Sequence, residues 1–226
     1  MAINPADNPA EPILDTLQAR SVELAFASVW SEADLERVRA VLSRTMSAAD
    51  NIGISLYLDC GTLLGYIREG RILPWDDDID LAVASEDCIE LLRSQLNTLG
   101  LSVTNPPLWK GTGVKVFDPC YGKPISPDCS WTWPNLDIFF LIQRDGEFTH
   151  RFLGKKFAED PLRPGIRVLF ETVECWLPQR PTYMLDTYYK DWRTVEKSNH
   201  LDHRREAPIE RVYERGIQTD SFGRKL

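Results

Sequence analysis

The chain has 226 residues, 43% apolar and 27% charged, which is the balance of one sizeable folded domain and excludes a disordered chain. Its formal charge of −8, with no Lys/Arg run, disfavours nucleic acid as a partner; phosphate chemistry on such a surface needs a bound cation or a few aimed basic side chains. Five widely spaced cysteines with no CxxC pair support neither a disulfide framework nor a zinc knuckle, disfavour a bridge or shared metal at Cys120 and Cys129, and point to a reducing cytoplasm.

Residues 1–20 read as an irregular arm, with three prolines in the first twelve positions and no basic start leading into an apolar run as a secretory signal requires. Residues 21–226 read as one α/β domain with a helical C-terminal extension, and no apolar stretch is long enough to span a bilayer. The first helix begins near Ser31, where Ser31 and Asp34 form a capping-box pattern ahead of Leu35, Val38, Leu42, Met46 and Ala49 at helical spacing. Asn51 and Gly53 supply its stop. A strand at 54–58 runs into Asp59-Cys60-Gly61-Thr62, a short helix covers 63–69, and Gly70 and Pro74 mark the return. Ile79, Leu81 and Val83 alternate with Asp78, Asp80 and Ala82 as in a half-buried strand. Ser85 caps a helix carrying Ile89, Leu92 and Leu96, closed by Gly100. Strands are expected at 101–104, Gly113–Phe117 and 136–142, with 118–135 a loop and Asp145-Gly146 a hairpin turn into 148–152. The last third holds a strand-like stretch at 166–177 and a helix around 182–192, with Pro181 near its first turn.

The densest signal is Pro74-Trp75-Asp76-Asp77-Asp78-Ile79-Asp80. Alternate residues of a strand share a face, so Asp78 and Asp80 point one way while Ile79 and Leu81 enter the core; Asp76 keeps that parity if the strand extends back. Two carboxylates about 4 Å apart repel by roughly 4 kcal/mol at an effective dielectric near 20, unless a divalent cation sits between them. Asp137 is the natural third ligand, because it is a lone carboxylate in an otherwise apolar strand, where burying it unpaired is costly. Mg²⁺, with Mn²⁺ as the alternative, suits such an oxygen set and leaves sites for water and substrate phosphate. Gly61 and Thr62 stand where a strand meets a helix start, so free backbone N–H groups and a hydroxyl can face a donor phosphate. An EF-hand is excluded: counting from Asp76, position six is Leu81 rather than Gly and position twelve is Asp87 rather than Glu. A solvated acidic turn is the bland alternative, and the apolar alternation together with a third strand-borne Asp weighs against it.

At these residues the chain resembles the LicD/fukutin family of nucleotidyltransferase-fold enzymes. The matching text is Asp59-Cys60-Gly61-Thr62-Leu63-Leu64-Gly65, Arg68-Glu69-Gly70-Arg71 and the acidic run itself, with Leu136-Asp137-Ile138-Phe139, Leu177-Pro178 and Tyr188-Tyr189-Lys190-Asp191-Trp192 further on. The resemblance spans roughly residues 54–193 and implies a mixed sheet flanked by helices. It implies transfer of a phosphocholine- or phospho-alditol-type group from a CDP-linked donor to a hydroxyl of a carbohydrate or lipid-linked glycan, with cytidine monophosphate leaving. It also implies that Asp78, Asp80 and Asp137 bind the metal and do the catalytic work, with Asp76 near the metal shell and Gly61 and Thr62 facing the donor phosphates. One carboxylate would take the acceptor proton. Lys190 stands where the family often has Gly, and no stem or membrane segment of the eukaryotic kind is present, which favours a soluble form.

Basic partners for the donor are fewer. Arg68, on the helix after the phosphate turn, and Arg71 can reach a diphosphate, although a solvated charge is the commoner fate of a helix arginine. Lys115 projects opposite to Val114 and Val116 and can line the cleft. Trp75, Trp109, Trp131 and Trp133 are more readily core or rim packing than base-stacking platforms. His200 and His203 form HxxH rather than HExxH and read as surface or substrate-rim groups. Two other functions stay open: a nucleotidyltransferase that leaves a nucleotide on its acceptor, and a catalytically silent module that binds a glycan or nucleotide.

Overall fold

The computed structural model describes residues 28–190, 192–193 and 195–215, so the arm expected at 1–20 lies outside it. Helix α1 (Glu32–Asn51) starts at its capping residue: Ser31 Oγ accepts from the Asp34 backbone N–H at 3.2 Å and donates to Asp34 Oδ2 at 2.6 Å. Its stripe of Val38, Leu42, Met46 and Ala49 is buried, as the spacing predicts. The chain then forms β1 (Tyr57–Leu58), α2 (Cys60–Glu69), β2 (Ile79–Val83), α3 (Ile89–Thr98), β3 (Ser102–Thr104) and β4 (Gly113–Phe117). Next come β5 (Lys123–Pro124), β6 (Thr132–Trp133), β7 (Asn135–Arg144), β8 (Glu147–His150), β9 (Lys155–Phe157), β10 (Ile166–Phe170) and β11 (Val173–Leu177). Helix α4 (Pro181–Tyr188) and the strands β12 (Val195–Asp202) and β13 (Ala207–Arg215) close the described chain.

One mixed sheet organises these elements in the order β10-β11-β1-β2-β7-β4-β3, with β8 and β9 continuing from the far end of β7. β1 runs parallel to β11 and β2 parallel to β7, while the other neighbours along that order are antiparallel. Helix α1 packs on β4, β7, β11 and α3, and α2 packs on β2 and α4. The sheet with its flanking helices is the α+β architecture expected from the sequence.

The register of the central strands decides what the fold can do. Asp80 lies opposite Asp137, and Asp137 lies opposite Lys115, so one row across β2, β7 and β4 carries acid, acid and base. Their neighbours Ile79, Leu81, Leu136, Ile138, Val114 and Val116 are fully buried. Alternation along each strand separates the two sets, with packing on one parity and chemistry on the other.

Several expectations need correction. The strand at 54–58 is only Tyr57–Leu58, and the helix expected at 63–69 starts three residues earlier at Cys60. The stretch 166–177 is two strands, because Glu171 and Thr172 adopt positive φ (48° and 67°) and turn the chain back on itself. The loop 118–135 contains the small ribbon β5–β6. The helix at 182–192 is present as α4, but the expected helical extension ends there: residues 195–215 form an antiparallel hairpin. Interspersed charges of both signs hide its period of two from a reading of apolar residues alone.

Candidate active site

The start of α2 and the acidic run meet at the carboxyl end of β1, beside the start of the antiparallel β2. Cys60 sits at φ 42°, a left-handed conformation that costs a non-glycine residue on the order of 1 kcal/mol. That turn aims the Gly61 N–H at Asp80 Oδ2, 3.0 Å away. Thr62 is buried, and its Oγ1 accepts from the Asp80 backbone N–H at 2.8 Å. A Cβ on Gly61 would lie 2.5 Å from Asp76 Oδ2, so only glycine lets that carboxylate pack over the helix start. Gly61 and Thr62 thus hold acids in place, and the Gly61 N–H is not left standing free for a phosphate as the sequence reading expected.

The acidic run is itself pinned from behind. Stacked Trp30 and Trp133, with centroids 5.1 Å apart, donate their indole N–H groups to the backbone carbonyls of Asp76 and Asp77, each at 2.6 Å. These bonds to two buried indoles fix the backbone of the run in front of β2. Ligand oxygens of Asp78, Asp80 and Asp137 lie within 4.8 Å of one another, close to the roughly 4 Å that separates opposite ligands of an octahedral Mg²⁺. All three are buried, and Asp76 Oδ2 is buried with no hydrogen-bond partner among the described residues.

Crowding shows in the acidities. Burial, then Asp78 and Asp77, pushes Asp76 well above the usual carboxylate range, and burial with Asp78, Asp76 and Asp137 does the same to Asp80. Burial and Asp78 raise Asp77 to about 7, and burial raises Asp137 to about 6 against the pull of Lys115. An all-oxygen set with surplus negative charge and an orphaned carboxylate oxygen fits a hard divalent cation such as Mg²⁺.

Two basic groups face the acids. Lys115 Nζ, 1% exposed, donates to Asp137 Oδ1 at 2.7 Å, Asp137 Oδ2 at 3.0 Å and Asn135 Oδ1 at 3.2 Å. Burial alone would lower its pKa, but Asp137 and Asp78 hold it above the ordinary value. His203 at the hairpin tip reaches Asp78 Oδ2 from Nε2 at 3.1 Å and donates its backbone N–H to Asp77 Oδ2 at 2.9 Å. Burial would lower the imidazole pKa, yet chiefly Asp78 pushes it up to about 10. Read from sequence as a surface or rim group, His203 is part of the centre; the side chain of His200 lies outside the described residues.

The remaining candidates scatter. Arg68, considered for the donor diphosphate, is buried and gives Nη2 to the Trp192 backbone carbonyl, tying α2 to the segment after α4. Arg71 is exposed and pairs with Glu69. Trp75 and Trp133 are core residues, whereas Trp109 and Trp131 flank Lys115 with ring centroids 5.0 and 5.7 Å from Nζ. Cys120 and Cys129 are free thiols, as are the other three cysteines.

A second buried polar group, missed by the sequence reading, sits beside the first. Asp59 accepts from Tyr188 OH at 2.9 Å and from His150 Nε2 at 2.8 Å, while His150 Nδ1 accepts from the Leu153 N–H at 3.1 Å. That last bond leaves the ring proton on Nε2, so the His150 lone pair faces the backbone rather than the Asp59-Cys60 side, and a metal there is disfavoured.

The LicD/FKTN/FKRP nucleotidyltransferase domain model matches residues 53–180, over half of the chain. The chain belongs to this family. Among curated relatives, uncharacterized proteins of Rickettsia typhi and Rickettsia prowazekii are 26% and 28% identical over 145 and 148 residues, 62% of this chain in each case but 41% and 48% of their own lengths. An orotate phosphoribosyltransferase of Neisseria meningitidis is 31% identical over 93 residues, 39% of this chain and 42% of its own. The chain therefore spans less than half the length of the curated relatives it matches. A solved structure of ANT(2")-Ia in complex with adenylyl-2"-tobramycin aligns with a TM-score of 0.40 at 16% identity, covering 61% of this chain and 67% of that one. Within the LicD match lie β1 to β11 and all the acids of the centre; His203 and its hairpin lie beyond it. No helix among the described residues is long and apolar enough to cross a membrane.

Proposed function

We propose that this LicD-family chain is a metal-dependent phosphotransferase that moves a phosphocholine- or phospho-alditol-type group from a CDP-activated donor to a hydroxyl of a glycan or other acceptor. One observation carries the proposal: Asp80 and Asp137, paired in register on two parallel strands, and Asp78, which immediately precedes the first of them, bring buried carboxylate oxygens within 4.8 Å of one another. Those three residues would hold Mg²⁺ or Mn²⁺, with Asp76 at the edge of the shell. When bound, such an ion supplies positive charge to a transferring phosphate.

The chain's own residues do the rest. Lys115 fixes Asp137, the Gly61 N–H and Thr62 hydroxyl fix Asp80, and His203 fixes Asp78, so none of the three carboxylates has to be reoriented during turnover. Asp76 Oδ2, buried with no hydrogen-bond partner among the described residues, is the oxygen we assign to take the proton of the acceptor hydroxyl once a bound cation keeps this carboxyl ionised. The five free cysteines support the cytoplasm as the proposed location. Asp78→Ala should abolish turnover of CDP-linked donors in Mg²⁺ while the protein stays folded by circular dichroism; full activity in that variant would end the proposal.

A second reading is favoured by the name of the matched domain: a nucleotidyltransferase that attaches a nucleotide from a nucleoside triphosphate. Mass analysis of the product separates the two. A nucleotide left on the acceptor supports the second, and a phospho-group accompanied by released cytidine monophosphate supports the first.

A further inference from the structure

Beyond the family-matched segment, the tip of the β12–β13 hairpin carries a carboxylate in surroundings suited to another guest. Glu206 Oε1 lies 3.0 Å from the Trp131 indole Nε1, 3.6 Å from Lys115 Nζ and 3.7 Å from His203 Nδ1. Only the first is a hydrogen bond; the other two exceed that range. Three donors from β4, the loop before β6 and the hairpin tip surround one oxygen position, and none of these atoms is an acceptor there. Lys115 is fully buried, and His203 Nδ1 is buried with no hydrogen-bond partner among the described residues. A buried donor left unmet is unfavourable until a ligand meets it. The Glu206 side chain is one-quarter exposed, so it can turn outward without unfolding the tip.

We propose that Lys115, Trp131 and His203 form an anion subsite for a phosphoryl oxygen of the donor substrate, and that Glu206 is a resident stand-in which that oxygen displaces. The proposal rests on the phosphotransferase reading above. Lys115 also bonds Asp137 and His203 also contacts Asp78, so an oxygen at this point neighbours two of the three carboxylates assigned to the cation. A phosphoryl group there has its charge countered from both sides. It offers several oxygens to the three donors, where a single carboxylate arm satisfies one. An acceptor hydroxyl suits the place less well, since no acceptor stands among the three to receive its proton.

The test compares pyrophosphate binding by calorimetry on the full chain, with and without saturating Mn²⁺, in wild type, Glu206→Gln and Trp131→Phe. Glu206→Gln should tighten pyrophosphate about tenfold by removing the competing charge, and Trp131→Phe, which keeps a ring but loses the N–H, should weaken it by about three- to tenfold. Unchanged or weaker binding in Glu206→Gln overturns the proposal, because a carboxylate with a purely structural role does not compete with ligand. Tighter binding in Glu206→Gln without a loss in Trp131→Phe overturns it too, since general charge removal is then the whole effect. The signal of free Mn²⁺ in electron paramagnetic resonance reports separately on the acid centre. If Mn²⁺ fails to bind but the two opposite shifts persist, the metal reading fails and the subsite stands; if Mn²⁺ binds and the shifts are absent, the subsite is removed alone.

Discussion

Two groups of buried polar side chains flank the first turn of α2, and they solve the burial of charge in opposite ways. On one side, both oxygens of the Asp59 carboxyl receive a donor, His150 Nε2 at 2.8 Å and Tyr188 OH at 2.9 Å, and both ring nitrogens of His150 are used. On the other, Asp76, Asp78, Asp80 and Asp137 crowd together, Asp76 Oδ2 has no partner among the described residues, and Asp76, Asp77, Asp80 and Asp137 are pushed up in pKa. The comparison teaches that satisfaction marks structure and surplus marks a site. A fully bonded network rigidifies its surroundings, whereas an under-compensated one persists only where something else completes it.

The largest expected effect falls on the crowded side. Asp80→Asn keeps an oxygen for the Gly61 N–H but removes a charge from the cluster, so turnover should drop by on the order of 10³-fold or more while the metal-free melting temperature holds or rises. A variant that melts early and keeps its activity would invert the comparison. On the satisfied side the effects exchange places. His150→Ala strands one Asp59 oxygen and opens a cavity, and should cost about 3 kcal/mol in urea unfolding with kcat per folded molecule nearly unchanged. Tyr188→Phe removes only the second donor, and about 1 kcal/mol should suffice there.

Cation binding sharpens the contrast further, by about 2.7 kcal/mol at a hundredfold excess over Kd. Because Asp77 and Asp137 titrate near 7 and 6, above their unfolded values, the folded chain binds more protons than the unfolded one between about pH 4 and 7. The metal-free protein therefore loses stability as pH rises through that window. His203, held up to about 10, adds stability that is fully present below about 6.5 and lost as pH rises through 10. Thermal scans should show Mg²⁺ raising the melting temperature more at pH 8 than at pH 5; an equal shift at both pH values would mean that the crowded carboxylates are not where the ion binds. This pH contrast is the prediction most specific to the acid cluster.

The amino-acid sequence by itself determined whatever depends on local period. Alternation put Asp80 on one parity with Ile79 and Leu81 on the other, placed Lys115 opposite Val114 and Val116, and marked the Ser31 cap of α1, each a short-range consequence of strand or helix geometry, whereas Asp78, expected on the same strand, lies just before its first residue. Tertiary structure alone decided which strands became neighbours, and hence that Asp80, Asp137 and Lys115 share one row. It also decided that the Thr62 hydroxyl accepts from Asp80, that Arg68 is consumed by Trp192, and that His150 meets Asp59 across 91 positions of chain. Least legible was the hairpin tip, which brings His203 to Asp77 over a separation of 126 residues. Its charged text looks like a solvated tail, because nothing in a residue's own neighbourhood records the opposite charge that folding will place beside it.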